Sequence, residues 1–198
     1  VVLSLSSCLN GGNGGEEPRF KKITKAEQTV IMSSLVGKYS GHLKFVKSAK
    51  PNEIDSVKID WTITPDTILV IEKFPVRVLT GSVQASETFV KQLGAADAAE
   101  VKMKLKLPNY MLEDYYNKGY YLASPIVGQD IDIKIGQNTG KLAFTNAIQT
   151  GTMQHQQVQQ LLEYYKEKQV TRLRVKQITL ENTPHEVNAP VYLVGKKN

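Results

Sequence analysis

From Lys38 onward, apolar and polar residues change places every second position. Tyr39, Gly41, Leu43 and Phe45 share one face of a first segment. Val57, Ile59, Trp61 and Ile63 share one face of a second, with Lys58, Asp60 and Thr62 opposite them. A period of two puts successive side chains on opposite faces of a strand, so each segment predicts a strand with one covered and one wet face. Thr64-Pro65-Asp66-Thr67 carries turn chemistry, and TILVIEKF returns as the next strand. In VKMKLKL (101–107) the alternation is strict, and Lys102, Lys104 and Lys106 point outward, which also discourages edge-to-edge pairing. GYYLASPIV, DIDIKIG and GKLAFTNAI add three strands, the last two joined by a hairpin over residues 137–140. TRLRVKQITL reads as one strand whose apolar phase slips between Val175 and Ile178, which predicts a β-bulge near Gln177. VYLV at 191–194 closes the sheet.

Two stretches break this rhythm. Thr24 followed by Glu27 is a capping box, in which hydroxyl and carboxylate each accept from a free backbone N–H. Ile23, Val30, Ile31 and Leu35 then form a short apolar stripe, and Gly37 stops the helix. In TMQHQQVQQLLEYYKEK, Val158, Leu161, Leu162 and Tyr165 fall at i, i+3, i+4 and i+7, the spacing of an amphipathic helix. SETFVKQLGAADAAE reads as a weak helix or a loop. Eight or nine strands with two short helices make an α+β domain, mainly antiparallel and barrel-like or a sandwich. One β-rich domain is expected over residues 20–198.

The first residues follow another logic. Val1, Val2, Leu3 and Leu5 precede the small residues Ser6 and Ser7 and then Cys8, the single cysteine of the chain. Leu5-Ser6-Ser7-Cys8 resembles the lipobox of bacterial lipoproteins. The resemblance implies that residues 1–7 are a signal-peptide remnant, that Cys8 carries lipid through its thiol, and that Cys8 becomes the mature N-terminus. Several acyl chains would then anchor the protein, each buried methylene supplying about 0.8 kcal/mol. Residues 8–19 are the lipidated cysteine and a Gly/Asn-rich tether, of which the ten residues after Cys8 span about 17 Å on average. Glu16-Glu17 resembles the acidic patch of surface-exported lipoproteins. The expected location is the cell envelope, as an outer-membrane lipoprotein facing the periplasm or the cell surface.

Composition limits the chemistry. At 198 residues with 41% hydrophobic and 22% charged positions, the chain can build a core without staples. One cysteine excludes an internal disulfide framework and a Cys-rich zinc site. The net charge of +6 points toward acidic partners, yet the lysines stand singly on strand faces without interleaved aromatics, so no nucleic-acid partner is expected. His42, His155 and His185 lie far apart in the chain, in no metal-binding spacing. No cofactor or metal is expected. GQNTGK (136–141) is one residue short of a phosphate loop and reads as a turn. Asp130 and Asp132 alternate with isoleucines on one strand face, where a carboxylate pair would serve a hydrolase or simply meet water.

One local excess remains. YMLEDYYNKGYY holds Tyr110, Tyr115, Tyr116, Tyr120 and Tyr121, five of the nine tyrosines. A phenol offers an apolar face and a polar tip, suited to stacking on sugars or to a protein contact. These five are the candidate ligand-binding residues, for a carbohydrate, a small apolar ligand or an envelope protein; a small-ligand site should border a pocket. The lipobox, the tether, GKYSG entering a strand and DSVKIDWTIT together resemble small uncharacterised lipoproteins of Bacteroidales-type bacteria. The helix running through Gly37-Lys38-Tyr39 into a strand is also similar to the entry of a calycin barrel, with Tyr39 where a lipocalin has Trp. The resemblance implies an envelope protein and brings no activity with it. A non-catalytic binding module is the expected function, ahead of an assembly component of the envelope and of a hydrolase using Asp130 and Asp132.

Overall fold

The computed structural model describes residues 18–47, 53–145 and 160–198. Cys8, the lipobox, most of the tether, His155 and Val158 therefore lie outside the described residues.

The alternating segments form a closed barrel. Its strands are β2 (Gly37–Val46), β3 (Ile54–Ile63), β4 (Ile68–Phe74), β5 (Ala99–Lys106), β7 (Tyr121–Ile126), β10 (Leu161–Tyr165), β11 (Lys168–Leu173) and β14 (Val191–Lys197). They follow one another round the barrel in chain order, each antiparallel to its neighbours, and β14 returns to β2. Closure pairs both edges of every wall strand and so removes the exposed-edge problem. The alternation holds as expected: Tyr39, Leu43, Trp61 and Ile63 are buried, as are Val101, Met103 and Leu105, while Lys102, Lys104 and Lys106 are exposed.

At the β14–β2 seam two glycines face each other, Gly195 and Gly41. A Cβ on Gly41 would run into the Val194 carbonyl, and one on Gly195 into the Ser40 carbonyl and the Trp61 ring. Only glycine permits that approach. The Trp61 ring lies over this gap and stacks on Tyr39, centroids 5.7 Å apart.

Helix α1 (Lys25–Leu35) sits across the barrel end where β2 begins. Its capping box is formed: Thr24 Oγ1 accepts from the Glu27 N–H at 3.3 Å, and the Glu27 carboxylate accepts from the Thr24 N–H at 2.9 Å. Ile31 and Leu35 are fully buried, but Val30 is 50% exposed. One helical step rotates the chain by about 100°, so Val30 cannot share the stripe of Ile31. The last carbonyls of α1 are satisfied from the barrel: the Tyr39 hydroxyl donates to Leu35 O (2.5 Å) and Lys197 Nζ to Ser34 O (3.1 Å).

The opposite end carries a 3-10 turn (Val76–Gly81), helix α2 (Glu87–Gly94) and a second antiparallel sheet. That sheet has the order β13 (Thr183–Glu186), β12 (Val175–Leu180), β9 (Asn138–Phe144), β8 (Ile131–Ile135). α2 resolves the ambiguity of SETFVKQLG in favour of helix: Ser86 caps it, accepting from the Phe89 N–H, and Phe89 and Leu93 are buried one turn apart. Phe74 meets Phe144 edge-on at 6.3 Å, joining the sheet to the barrel. The register shift in β12 falls between Val175 and Gln177, where the bulge is expected. The segment nevertheless changes sheets at Arg174, so TRLRVKQITL is two strands, one in each sheet. The β8–β9 turn lies at Gly136-Gln137, slightly earlier than its expected place, with Gly136 at φ +64°.

The helix expected over 152–168 is corrected over residues 160–168; its first part lies outside the described residues. Leu161–Tyr165 is strand β10, paired to β7 on one side and β11 on the other. Leu162 and Tyr164 are buried while Tyr165 is 37% exposed. Two flanking strands outweigh a helical spacing that rests on four residues. The turn that ends β10 is Lys166-Glu167, both at positive φ, the backbone of a two-residue hairpin. The same holds for Glu181-Asn182, which opens the unexpected strand β13.

Candidate functional site

The small ribbon of β1 (Phe20–Lys22) and β6 (Tyr110–Leu112) opens the tyrosine-rich segment. Lys22 is the cross-strand partner of Tyr110, and Lys21 that of Met111. Met111 is buried and Tyr110 is 56% exposed, because neighbours on a strand face opposite ways. The alternation turns Tyr110 away from the core-facing side of the ribbon. The one-turn helix α3 (Glu113–Asn117) follows, with Glu113 and Asp114 in its first turn, where carboxylates suit free backbone N–H groups. Gly119 at φ +70° reverses the chain, and the Tyr120 N–H bonds to Tyr115 O at 2.9 Å.

This reversal arranges rings in two files. Tyr115 meets Tyr120 at 4.7 Å between centroids, and Tyr120 meets Tyr165 of β10 at 6.1 Å. Tyr116 meets Tyr121 at 6.2 Å, and Tyr121 stacks on its cross-strand partner Tyr164 at 6.3 Å. Tyr164 points into the barrel and Tyr165 out of it, so the second file leads inward and the first lies on the outer wall. Lys21 Nζ sits 4.3 Å above the Tyr116 ring and Lys166 Nζ 5.0 Å above the Tyr165 ring. Four of the five expected tyrosines thus come together with two that the sequence reading left in a helix. Testing LLEYY for a period of two would have found Tyr164 and Tyr165.

The electrostatics favour neutral phenols. Burial, followed by the Glu163 carboxylate that accepts from its hydroxyl, pushes the Tyr120 phenol well above its ordinary range. Burial likewise raises Tyr164. Such groups donate hydrogen bonds and present ring faces; they do not act as bases or nucleophiles near neutrality.

The remaining candidates separate. Asp132 and Lys141 are cross-strand partners and form an exposed ion pair of 2.7 Å, while Asp130 precedes β8. His42 is exposed on β2, and His185 stacks on Phe89 at 3.8 Å. Among the described residues no group of three or more His, Cys, Asp or Glu is placed to hold a metal ion. β3 and β4 pair only at Thr62–Val70 and Ile63–Leu69. Beside that short pairing lies a cleft of about 670 Å³, lined by Gly41 and Ile59 and by the polar side chains of His42, Lys58, Asp60 and Glu72 among others. None of the tyrosines lines it.

Fold and site together define an antiparallel eight-stranded barrel protein with an aromatic outer surface at its helix-capped end. The chain belongs to the family described as a domain of unknown function (DUF4840), which matches residues 34–180. The match ends at Leu180, the last residue of β12, so the closing strand β14 lies beyond it. No curated protein and no solved structure matches the chain.

Proposed function

We infer that this is a lipid-anchored envelope protein whose barrel binds carbohydrate through the outer tyrosine file. One observation carries the binding reading: Tyr165 of β10, distant in sequence from Tyr115 and Tyr120, joins their ring file and ends it on the exposed wall of the barrel. Glu163, Lys118 and Lys166 surround them with polar groups. Ring faces receive the C–H faces of a sugar, and neutral phenols and flanking charges receive its hydroxyls. The anchor reading rests on Leu5-Ser6-Ser7-Cys8 followed by the Gly/Asn-rich tether.

The test has two arms. Titration of the full chain with a panel of bacterial envelope glycans should give saturable binding that Tyr165→Ala weakens about tenfold, as loss of one stacked ring does. Flat titrations across the panel, with capture of a defined envelope protein through the same rings, would replace the carbohydrate reading by an assembly role. For the anchor, palmitate labelling of the precursor should vanish in Cys8→Ser.

A further inference from the structure

The outer face of the β1–β6 ribbon carries a surface that the tyrosine files do not use. Cross-strand partners share a face, so Phe20, Leu112, Lys22 and Tyr110 point the same way, opposite Lys21 and Met111. Phe20 is 48% and Tyr110 56% exposed, two of the most exposed large apolar side chains among the described residues, and Leu112 is half-buried beside them. Phe20 and Tyr110 make none of the ring contacts found among the other tyrosines. The single charge on this face is Lys22. The carboxylate Glu27 lies elsewhere, tied to Lys21 by a 2.5 Å ion pair. Glu113 and Asp114 follow Leu112 in α3, at the ribbon's end. An exposed face of two aromatics, a leucine and one lysine matches the headgroup layer of a bilayer. There amphipathic rings settle, and a lysine stem lies along apolar surface while its head stays in water.

Position in the chain selects the same occupant. Eleven residues, Leu9 to Arg19, separate Cys8 from Phe20. If Cys8 carries lipid, β1 is the first element after it among the described residues, about 20 Å from the headgroups on average for eleven residues of Gly-rich chain. At that range the tether holds it at millimolar effective concentration, so even a weak contact is occupied. We propose that Phe20, Lys22, Tyr110 and Leu112 form a bilayer-contact face that seats the barrel with its helix-capped end against the membrane. This proposal rests on the lipid-anchor reading for its geometry, and its test separates the two.

Full-length chain carrying Cys8→Ser, which has no site for lipid, is sedimented with phosphatidylethanolamine and phosphatidylglycerol vesicles at millimolar lipid. It should partition measurably, and Phe20→Ser with Tyr110→Ser should cut the partition coefficient about tenfold, as expected for two partly inserted aromatics. Ile54→Ser, an equally exposed apolar residue at the far end of the barrel, should leave it unchanged. Thermal unfolding of each variant shows whether the fold is kept. No partition of Cys8→Ser, or an equal loss in Ile54→Ser, overturns the contact face. So does saturable capture of a protein by this face without vesicle binding. Palmitate labelling of the unaltered chain is scored separately: labelling without partition sinks the face and keeps the anchor. Partition without labelling keeps the face and sinks the anchor.

Discussion

The two sides of the barrel wall are built differently. Along β14–β2–β3 the register is long: β2 pairs with β3 over ten residue pairs and with β14 over six. It is shortest in two places, with two pairs between β3 and β4 and three each on the two sides of β7, toward β5 and toward β10; β4–β5 and β10–β11 pair over five and β11–β14 over six. The long seam holds Tyr39 and Trp61, both buried, over the close approach of Gly41 and Gly195. The sparse pairing around β7 carries the ring files, and the open cleft lies where β2 and β3 meet the unpaired stretch of β4, lined by Gly41, Ile59 and Glu72 among others. Register is longest along β2–β3, and the rings proposed for binding lie where β7 pairs sparsely with its neighbours, an arrangement in which binding elements are held by a rigid frame.

Substitutions can break this contrast. The largest effect is expected at Trp61→Ala, which removes the ring over the glycine gap and should destabilise the fold by about 4 kcal/mol, read as a fall in the thermal midpoint. Next comes Gly195→Ala, whose methyl meets the Ser40 carbonyl and the Trp61 ring; about 2 to 3 kcal/mol should be lost. Tyr39→Phe deletes the donor to Leu35 O and leaves that carbonyl at the helix end unpaired, for about 1 kcal/mol. Tyr165→Ala on the sparse side should move stability by less than about 0.5 kcal/mol while weakening glycan binding. A Tyr165 variant that unfolds as readily as the Trp61 variant would erase the distinction.

Titration sharpens it from both ends of the pH scale. Burial raises Tyr39, Tyr120 and Tyr164 above the ordinary phenol value of 10.0, so the folded state favours their neutral forms. The unfolded chain ionises first, and the stability they protect is complete below about pH 10 and lost as pH rises further. Phenolate absorbance from Tyr39, Tyr120 and Tyr164 should therefore appear only with unfolding. The smallest effect lies at acid pH. The hydrogen bond from Lys21, with help from Thr24, holds the Glu27 carboxyl down to about 2 from an ordinary 4.5. Its contribution is present above that ordinary value and fades as pH falls toward 2, and Glu27→Gln should flatten this part of the profile.

Legibility followed the same division. The seam was readable because each of its strands is covered on one face, and one-sided burial writes a period of two into the chain. Trp61 in the core, the bulge near Gln177 and the capping box at Thr24 came from the same local rules. The β10–β11 hairpin was unreadable for a local reason: its turn is Lys166-Glu167, with neither Gly nor Asn to announce positive φ. Misreading β10 as helix hid Tyr164 and Tyr165, and with them the way the files join. Tyr110 is near the other tyrosines in sequence, and strand alternation turns it away from the core side.

By itself the sequence determined the alternating strands β2 to β5, β7 to β9 and β14, their inward residues and the mainly antiparallel class, because those depend on which side of each short segment meets water. Barrel rather than sandwich was decided only in three dimensions, when β14 met β2 across the Gly41–Gly195 contact. So were the sheet change at Arg174 and the meeting of α3 with β10. Each depends on which distant strand supplies the missing hydrogen bonds and contacts, and residue order does not record that choice.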